Sequence, residues 1–322
     1  MERIVFLDRA ALRTAARPPA FAHRWSEYAT TSSDQVIERL AGATIVIVNR
    51  VRLDRAVLLD GAAADLKLVA VCATGVDCVD LDAARERGLS VTNVRSWCDE
   101  SVAEHVIALM LALRRDLIGY HGAVVGGTWS RAPSYSLLRE PLPLEVRGQV
   151  LGIVGYGSIG AAVARIAGAL GMEVLVAERR GADPRPGRVP LEEVLGRSDV
   201  VSLHCPLTPE TADLIGTAEL ALMPPHALLI NCARGGIVDE AALADALKTG
   251  RIGGAALDGL AAEPPPVGAP LLAADLPNLI VTPHMAWASQ QSLRNLADQL
   301  IATIESFVEG RPRNLVVGPG PR

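Results

Sequence analysis

Three ionisable side chains in the second half of the chain are of types that can act together in catalysis. Arg234 follows the run "ALLINCA", Glu263 follows "GGAALDGLAA" and His284 ends "NLIVTPH". A guanidinium can bind a carboxylate through two parallel hydrogen bonds, and an imidazole can exchange a proton with a reacting oxygen. A carboxylate beside that imidazole favours its charged form and fixes its orientation. This set suits chemistry on a 2-oxo or 2-hydroxy acid.

Each of these residues also has an ordinary structural interpretation. Arg234 could cap a turn, Glu263 could be a loop charge beside the rigid "PPP" segment, and a single histidine such as His284 is often structural. For the set to have no catalytic role, all three structural interpretations would have to hold at once. The catalytic interpretation therefore depends on the elements that precede these residues.

Strands and helices are predicted to alternate around the three residues. From Gln149 onward, short apolar runs predict strands near 150–154, 173–177, 199–204, 227–231, 255–258 and 279–282. Parallel strands joined by helices end at one edge of their sheet, where open α/β sheets place their sites. Arg234, Glu263 and His284 each come shortly after such a strand.

The stretch 150–179 carries a glycine pattern typical of dinucleotide binding. Gly155, Gly157 and Gly160 are spaced GxGxxG between an apolar strand and a helix of small residues. The first glycine permits a tight turn, the second lets a pyrophosphate approach the backbone, and the third lets helix and strand pack closely. The N-terminus of the helix then offers N–H groups to the phosphates.

NAD is the cofactor predicted from this motif. Glu178 ends the following strand, where a carboxylate accepts hydrogen bonds from ribose hydroxyls and repels a 2′-phosphate. Arg179 and Arg180 follow directly and could pair with such a phosphate. NADP is therefore the less favoured alternative.

The first hundred residues repeat the α/β alternation. The runs "RIVFLD", "ATIVIVN", "LKLVAVCAT" and "LSVTNV" predict buried strands, with short helices over 34–40, 53–60 and 80–87. A longer helix follows, with Ser101 and Glu104 as a capping box. The last helix is capped by Ser289 and ends near Gly310. Between these two helices, residues 119–148 show little periodicity and predict an arm or connector.

Composition excludes several classes of function. A length of 322 residues predicts two domains, and a formal charge of −5 gives no basic excess. No Lys/Arg run stands out and aromatic residues make up 3%, which argues against nucleic acid as a partner. We see no export signal and no apolar run of ~18 residues, so no membrane partner is expected. The five cysteines lack CxxC spacing, which favours reduced thiols in the cytoplasm over disulfides or a metal site.

The motifs, in this order, resemble those of the NAD-dependent D-2-hydroxyacid dehydrogenases. The matching stretches are "VCATGVDCVDLDAARERGLSVTNV", "SVAEHVIALML", "GIVGYGSIG", "LHCPLTPET", "LLINCARGGIVDE", "ALDGLAAEPPP" and "LIVTPHMAWAS". Within the family, "ATGVD" and the tryptophan of "PHMAWAS" are most similar to the glycerate dehydrogenase/hydroxypyruvate reductase branch. The chain departs from the expected pattern at two places. Trp97, Cys98 and Asp99 stand where Gly, Tyr and a small hydroxyl residue are expected. Gly259 stands where a β-branched residue is commoner.

The resemblance implies an architecture and a reaction. Two Rossmann-like or flavodoxin-like α/β domains with parallel sheets would hold the active site in the cleft between them. Residues 1–97 with 289–322 would form the substrate-binding domain, and residues 98–288 the NAD-binding domain. The resemblance also implies a homodimer with 119–148 as a dimer arm, and reduction of hydroxypyruvate or glyoxylate.

The same resemblance assigns roles to individual residues. Arg234 would hold the substrate carboxylate and polarise its keto group, His284 would be the acid/base, and Glu263 would be the partner of His284. The backbone N–H groups that would help bind the carboxylate are those of Thr74, Gly75 and Val76. The positions that match cofactor contacts are Gly155, Gly157, Ser158, Ile159, Gly160, Glu178, Cys205, Pro206, Thr211, Ala233, Arg234, Asp258 and His284.

Two alternatives to this function stay open. A non-enzymatic binding protein could use the same fold to sense NAD(H), although the intact set of Arg234, Glu263 and His284 argues against it. The same scaffold could also serve as a dehydrogenase of formate or phosphite.

Overall fold

The structure, a computed structural model, describes residues 1–183, 185–273 and 275–318. The chain divides into two compact units, Met1–Cys98 with Ala288–Arg322, and Asp99–Trp287. These divisions lie within one residue of the expected domain boundaries. Residues 319–322, at the end of the expected segment 289–322, lie outside the described part of the chain.

The secondary structure follows the alternation predicted from the apolar runs. In chain order the strands are β1 (Glu2–Phe6), β2 (His23–Glu27), β3 (Ile45–Val48), β4 (Leu68–Val71), β5 (Ser90–Thr92), β6 (Val150–Val154), β7 (Glu173–Val176), β8 (Val200–Leu203), β9 (Leu228–Asn231), β10 (Gly254–Leu257), β11 (Leu279–Val281) and β12 (Leu315–Val317). The α-helices are α1 (Val36–Leu40), α2 (Arg55–Leu59), α3 (Leu81–Arg87), α4 (Asp99–Arg114), α5 (Leu117–Val125), α6 (Ser158–Ala169), α7 (Leu191–Arg197), α8 (Thr217–Leu222), α9 (Glu240–Lys248), α10 (Pro270–Ala273) and α11 (Gln290–Val308).

The first unit contains a six-stranded sheet in the order β12-β5-β4-β3-β1-β2. Its strands are parallel except for β12, which pairs antiparallel with β5. The central strands β3 and β4 are entirely buried, as their runs "IVIV" and "LVAV" require. Strands β2 and β12 were not predicted, because "HRWSE" is mostly polar and "LVV" is very short. Both lie at the edges of the sheet, where burial is incomplete.

The second unit contains a fully parallel sheet in the order β11-β10-β9-β8-β6-β7. The predicted fold class, two α/β domains with parallel sheets, is confirmed. The chain begins this sheet at β6, adds β7 on one side and then crosses to β8 on the other. Ligands of such sheets bind outside the carboxyl ends of the strands at this reversal.

One local prediction in the second unit is wrong. Helix α4 begins at Asp99, so Ser101 lies inside the helix instead of capping it, and its Oγ donates to the Ala286 carbonyl (2.8 Å). Acidic residues at the first two positions of α4 suit the positive end of its dipole and account for the earlier start. Part of the segment 119–148 is helical in α5, where Gly119 and Gly122 weaken the helix signal.

Helix α11 packs against the sheet of the first unit and is capped as predicted. Ser289 Oγ accepts a hydrogen bond from Ser292 N (3.0 Å). Leu296, Leu300 and Ile304 repeat along one face of the helix and are buried. No helix in the described ranges, α11 included, is both long enough and apolar enough to span a lipid bilayer.

We expect Ser289→Ala to lower the free energy of unfolding of the first unit by about 1 kcal/mol, because the N–H of Ser292 loses its acceptor. Urea denaturation followed by circular dichroism measures this change. Ser289→Asp keeps an acceptor at the cap and serves as the matched control. Equal urea midpoints for the alanine variant and the unaltered protein would contradict the role of the cap.

Candidate active site

The glycine loop joins β6 to α6 at the carboxyl edge of the second sheet. Gly155 has φ +96°, and a Cβ at this residue would lie 2.5 Å from the backbone nitrogen of Cys205. Gly160 lies so close to the Gly155 carbonyl that no side chain fits. The space beside Gly157 is open, and the first turn of α6 receives no side-chain cap from any described residue. This combination of open space and N–H groups fits a pyrophosphate.

Glu178 follows β7, and its carboxylate accepts hydrogen bonds from two arginines. The guanidinium of Arg185 donates to both of its oxygens (Nε to Oε1 3.0 Å and to Oε2 2.9 Å), and the backbone nitrogen of Arg179 donates to Oε1 (2.7 Å). The hydrogen bond with Arg185 holds the pKa of the Glu178 carboxyl far below its usual range, at about 2. Ribose hydroxyls at this site would compete with Arg185 for the carboxylate. Arg180 is paired with Glu219 (2.8 Å).

The loop after β8 lies beside the glycine loop and carries Cys205, Pro206 and Thr211. The pairing of β8 with β6 continues past the strand, because His204 N donates to the backbone of β6 (2.7 Å). Thr211 Oγ1 donates to the Pro206 carbonyl (2.6 Å) and accepts from Thr208 N (2.7 Å). These bonds fix the shape of the loop at the carboxyl edge of the sheet.

Arg234 is placed by a turn that its own strand initiates. Asn231, the last residue of β9, accepts from Ala233 N through Oδ1 (3.0 Å) and donates through Nδ2 to the Arg234 carbonyl (2.8 Å). The next residue, Gly235, lies against the backbone of Leu260 too closely for any side chain. The turn that carries Arg234 therefore lies beside the segment that follows β10.

Glu263 and His284 are in direct contact. His284 Nδ1 lies 2.7 Å from Glu263 Oε2, and each side chain is about one quarter exposed (25% and 26%). Glu263 Oε1 also accepts from Leu260 N (3.2 Å), which fixes the orientation of the carboxylate. A proton on Nδ1 that is shared with a carboxylate leaves Nε2 as the imidazole atom that exchanges a proton. This is the arrangement that acid/base chemistry requires.

The buried carboxylate of Asp258 holds the turn that presents His284. Its Oδ1 accepts from Thr282 Oγ1 (2.6 Å) and Met285 N (2.8 Å), and its Oδ2 accepts from Ala286 N (2.7 Å). His284 itself has φ +52°, a left-handed conformation that a side-chain-bearing residue adopts only at a cost. The three bonds to Asp258 stabilise this conformation.

The same arrangement explains why residue 259 is a glycine. Its φ is +148°, and a Cβ at this position would clash with Glu263 Oε1. A β-branched residue, the type expected here from the resemblance, would have to displace the carboxylate. Glycine therefore lets the Glu263 side chain lie directly against the backbone that follows β10.

The loop of Thr74, Gly75 and Val76 follows β4 in the first unit. The backbone N–H groups of these residues donate to no acceptor among the residues that the structure describes. The loop is partly exposed, and the Thr74 carbonyl accepts from Asn93 Nδ2 (2.7 Å). Consecutive N–H groups of this kind fit an anionic ligand such as a carboxylate.

Comparisons with known proteins identify the family of the chain. Residues 107–286 match the model of the D-isomer specific 2-hydroxyacid dehydrogenase, NAD binding domain. The chain is 46% identical to a glycerate dehydrogenase of Methylorubrum extorquens, over 98% of this chain and 99% of that protein. It is 36% identical to a hydroxypyruvate reductase of Blautia hydrogenotrophica, over 89% of this chain and 88% of that protein.

A solved structure supports the same relationship. The D-lactate dehydrogenase of Aquifex aeolicus, complexed with NAD and lactic acid, superposes with a TM-score of 0.82 at 29% identity, over 98% of this chain and all of that one. The chain belongs to the D-isomer specific 2-hydroxyacid dehydrogenases. The predicted enzyme class, an oxidoreductase with NAD as its cofactor, is confirmed. Neither relative, nor this structural neighbour, is a redox sensor or a formate or phosphite dehydrogenase.

Several residues that shape the dehydrogenase site were not predicted from the sequence. Asn231 could have been recognised, because a polar residue that directly follows an apolar strand often forms a turn with its own backbone. Thr282 and His105 both lie near Asp258, and His105 Nε2 is 3.1 Å from Thr282 Oγ1. Arg185 carried no recognisable signal, because nothing in the spacing pairs it with Glu178.

We expect Arg185→Gln to lower the KM for NADH and to raise the KM for NADPH. The substitution leaves Glu178 able to accept ribose hydroxyls and removes a cation that a 2′-phosphate would pair with. The preference for NADH, measured as the ratio of the two kcat/KM values, should rise about three- to tenfold. Arg180→Gln is the matched control, since Arg180 is held by Glu219. A preference that shifts in the control but not in Arg185→Gln would refute this assignment.

Proposed function

We propose that this dehydrogenase uses NADH to reduce a small 2-oxo acid, hydroxypyruvate or glyoxylate, to the corresponding 2-hydroxy acid, in the D-configuration where that acid is chiral. The observation that carries the proposal is the 2.7 Å contact between His284 Nδ1 and Glu263 Oε2, beside the strand end that bears Arg234. The names of its two relatives, glycerate dehydrogenase and hydroxypyruvate reductase, describe one reaction in its two directions.

In this proposal the substrate is held by its carboxylate. The guanidinium of Arg234 donates to the carboxylate and polarises the adjacent keto oxygen. The backbone N–H groups of Thr74, Gly75 and Val76 provide further donors. Donors that fix the carboxylate also fix the orientation of the keto carbon next to it.

His284 supplies the proton in the reductive direction. Bound NADH supplies the hydride for the keto carbon. His284 Nε2 gives its proton to the keto oxygen, so that one hydride and one proton together convert the carbonyl to a hydroxyl. Glu263 stabilises the positive charge that the imidazole carries before the transfer and keeps Nε2 directed to the substrate.

The cofactor assignment extends to the remaining predicted positions. The unit Asp99–Trp287 is proposed as the NAD-binding domain and the other unit as the substrate-binding domain. The residues proposed to contact the cofactor are Gly155, Gly157, Ser158, Ile159, Gly160, Glu178, Cys205, Pro206, Thr211, Ala233, Arg234, Asp258 and His284.

We expect NADH oxidation, followed at 340 nm, to be fastest with hydroxypyruvate or glyoxylate in a panel that includes pyruvate and a bulky aromatic 2-oxo acid. His284→Asn should lower kcat by about 100- to 10,000-fold, the range for loss of a general acid.

His226→Asn provides a matched control for the histidine substitution. His226 Nε2 also lies 2.7 Å from a carboxylate, that of Asp199, but this pair precedes β8 and β9 at the opposite edge of the sheet. The control should keep kcat within about twofold, the scale of a surface change. Tight NADH binding with no turnover of any 2-oxo acid would overturn the proposed function.

We propose that the protein is a cytoplasmic homodimer that uses the segment 119–148 as its interface. Seven of the 18 exposed large apolar side chains among the described residues lie in this segment, and several, such as Val125 (73%) and Leu138 (70%), are mostly exposed. Apolar surface of this extent usually marks an interaction site. The five cysteines are free thiols, as expected in a reducing compartment.

The double substitution Val125→Glu with Leu138→Glu should convert the dimer to a monomer, because buried carboxylates would lack partners at the interface. Sedimentation velocity at micromolar concentration measures the change. Leu222→Glu introduces the same charge at an exposed apolar residue of α8, outside the segment, and should leave the dimer intact. A monomeric unaltered protein would rule out the interface.

A further inference from the structure

The connection between β5 and α4 lies against the loop of Thr74, Gly75 and Val76, and both belong to the first unit. Val94 N donates to the Ala73 carbonyl (3.0 Å), so the two segments continue side by side beyond the paired strands β4 and β5. The connection therefore determines the position of the loop proposed to bind the substrate carboxylate.

Thr74 is fixed to this connection at two of its atoms. Asn93 Nδ2 donates to the Thr74 carbonyl (2.7 Å). Thr74 Oγ1 donates to the Val94 carbonyl (3.0 Å) and accepts from the indole nitrogen of Trp97 (3.0 Å). The hydroxyl thus has one acceptor and one donor, which together define its rotamer and the orientation of the adjoining backbone.

Trp97 reaches Thr74 because the chain reverses just before it. Ser96 has φ +51°, a left-handed conformation that turns the following residue back toward the loop. The indole is buried, with 7% of Trp97 exposed. A buried N–H without an acceptor is costly, so the bond to Thr74 Oγ1 holds the indole and the threonine together.

The loop needs this support because its own backbone makes few bonds. The N–H groups of Thr74, Gly75 and Val76 donate to no acceptor in the described part of the chain, so they leave the loop free to bind an anion but do not fix its conformation. Donors that are already oriented bind a ligand more tightly than donors that must be ordered on binding.

We propose that Trp97 is a positioning residue for substrate binding, which acts through its indole N–H on Thr74. The inference rests on the proposed function, since it requires that the loop bind the carboxylate of a 2-oxo acid. Trp97 holds the N–H groups of the loop in one arrangement that suits a carboxylate. This residue is one of those at which the chain departs from the expected family pattern.

Trp97→Phe tests the proposal, because it keeps the aromatic ring and removes the N–H. We expect the KM for hydroxypyruvate to rise about three- to tenfold, the effect of one hydrogen bond, with kcat within about twofold. The inhibition constant of oxamate, a 2-oxo acid analogue that cannot be reduced, should rise by the same factor. The KM for NADH should not change. A merely structural role would instead lower the active fraction, and so kcat, at constant KM.

Trp25→Phe is the matched control for Trp97→Phe. The indole nitrogen of Trp25 also donates to a side-chain oxygen, that of Glu27 (2.8 Å), within the same unit. This bond lies on the edge strand β2, away from the loop in the sheet order. The control should therefore leave both KM values unchanged.

Substitutions at Thr74 test the pairing itself and cover the case in which Trp97→Phe does not fold. Thr74→Val removes the acceptor and should raise the KM for hydroxypyruvate as Trp97→Phe does, whereas Thr74→Ser keeps the hydroxyl and should restore it. In the Thr74→Val background, Trp97→Phe should have no further effect.

Two results overturn the positioning role: an unchanged KM in Trp97→Phe, or equal KM values in the valine and serine variants. Either result leaves the proposed function intact, provided that the unaltered protein turns over hydroxypyruvate or glyoxylate. Absence of turnover in the unaltered protein is a failure of the proposed function, and this assay separates it from failure of the Trp97 inference.

Discussion

The hydrogen bond between Glu263 and His284 depends on the register of two parallel strands. Leu257 of β10 pairs with Val281 of β11, so the two strands end side by side, and the bonded residues follow six and three positions later. A one-residue slip in this register would move one side chain away from the other. The proposed acid/base pair therefore depends on the sheet as much as on the two residues, because the buried core of the second unit fixes the register.

Backbone strain near this pair is offset by local bonds. A left-handed conformation at a residue with a side chain costs on the order of 1–3 kcal/mol, and His284 adopts one. Asp258 accepts three hydrogen bonds from the turn around His284, and each charge-assisted bond contributes enough to offset part of that cost. Gly259 then removes the steric conflict that a side chain would have with Glu263. Asp258 thus makes the strained conformation of His284 compatible with a stable fold, and its neighbour Gly259 leaves room for the Glu263 side chain.

The sequence predicts those parts of the structure that short-range patterns encode. Buried strands of β-branched residues and the GxGxxG spacing can be recognised because their periodicity is local, and the strands of the second sheet lie within one or two residues of the predicted positions. Helix α5 and strand β2 were missed because glycines weaken one and polar residues fill the other. Contacts such as Glu178 with Arg185, or Trp97 with Thr74, join residues whose spacing carries no periodicity, so only the folded chain brings them into view.

The placement of charge explains how a chain with a net charge of −5 can serve anionic ligands. Net charge governs long-range attraction, whereas binding depends on donors within a few ångströms of the ligand. Both units place N–H groups at the carboxyl ends of parallel strands, the glycine loop after β6 in one and the loop at Thr74 after β4 in the other. Because these donors are part of the backbone, they can bind anions without requiring a basic surface. In the proposed function, the arginines supply selectivity: Arg234 selects carboxylates over neutral groups, and Arg185 distinguishes the two forms of the cofactor ribose.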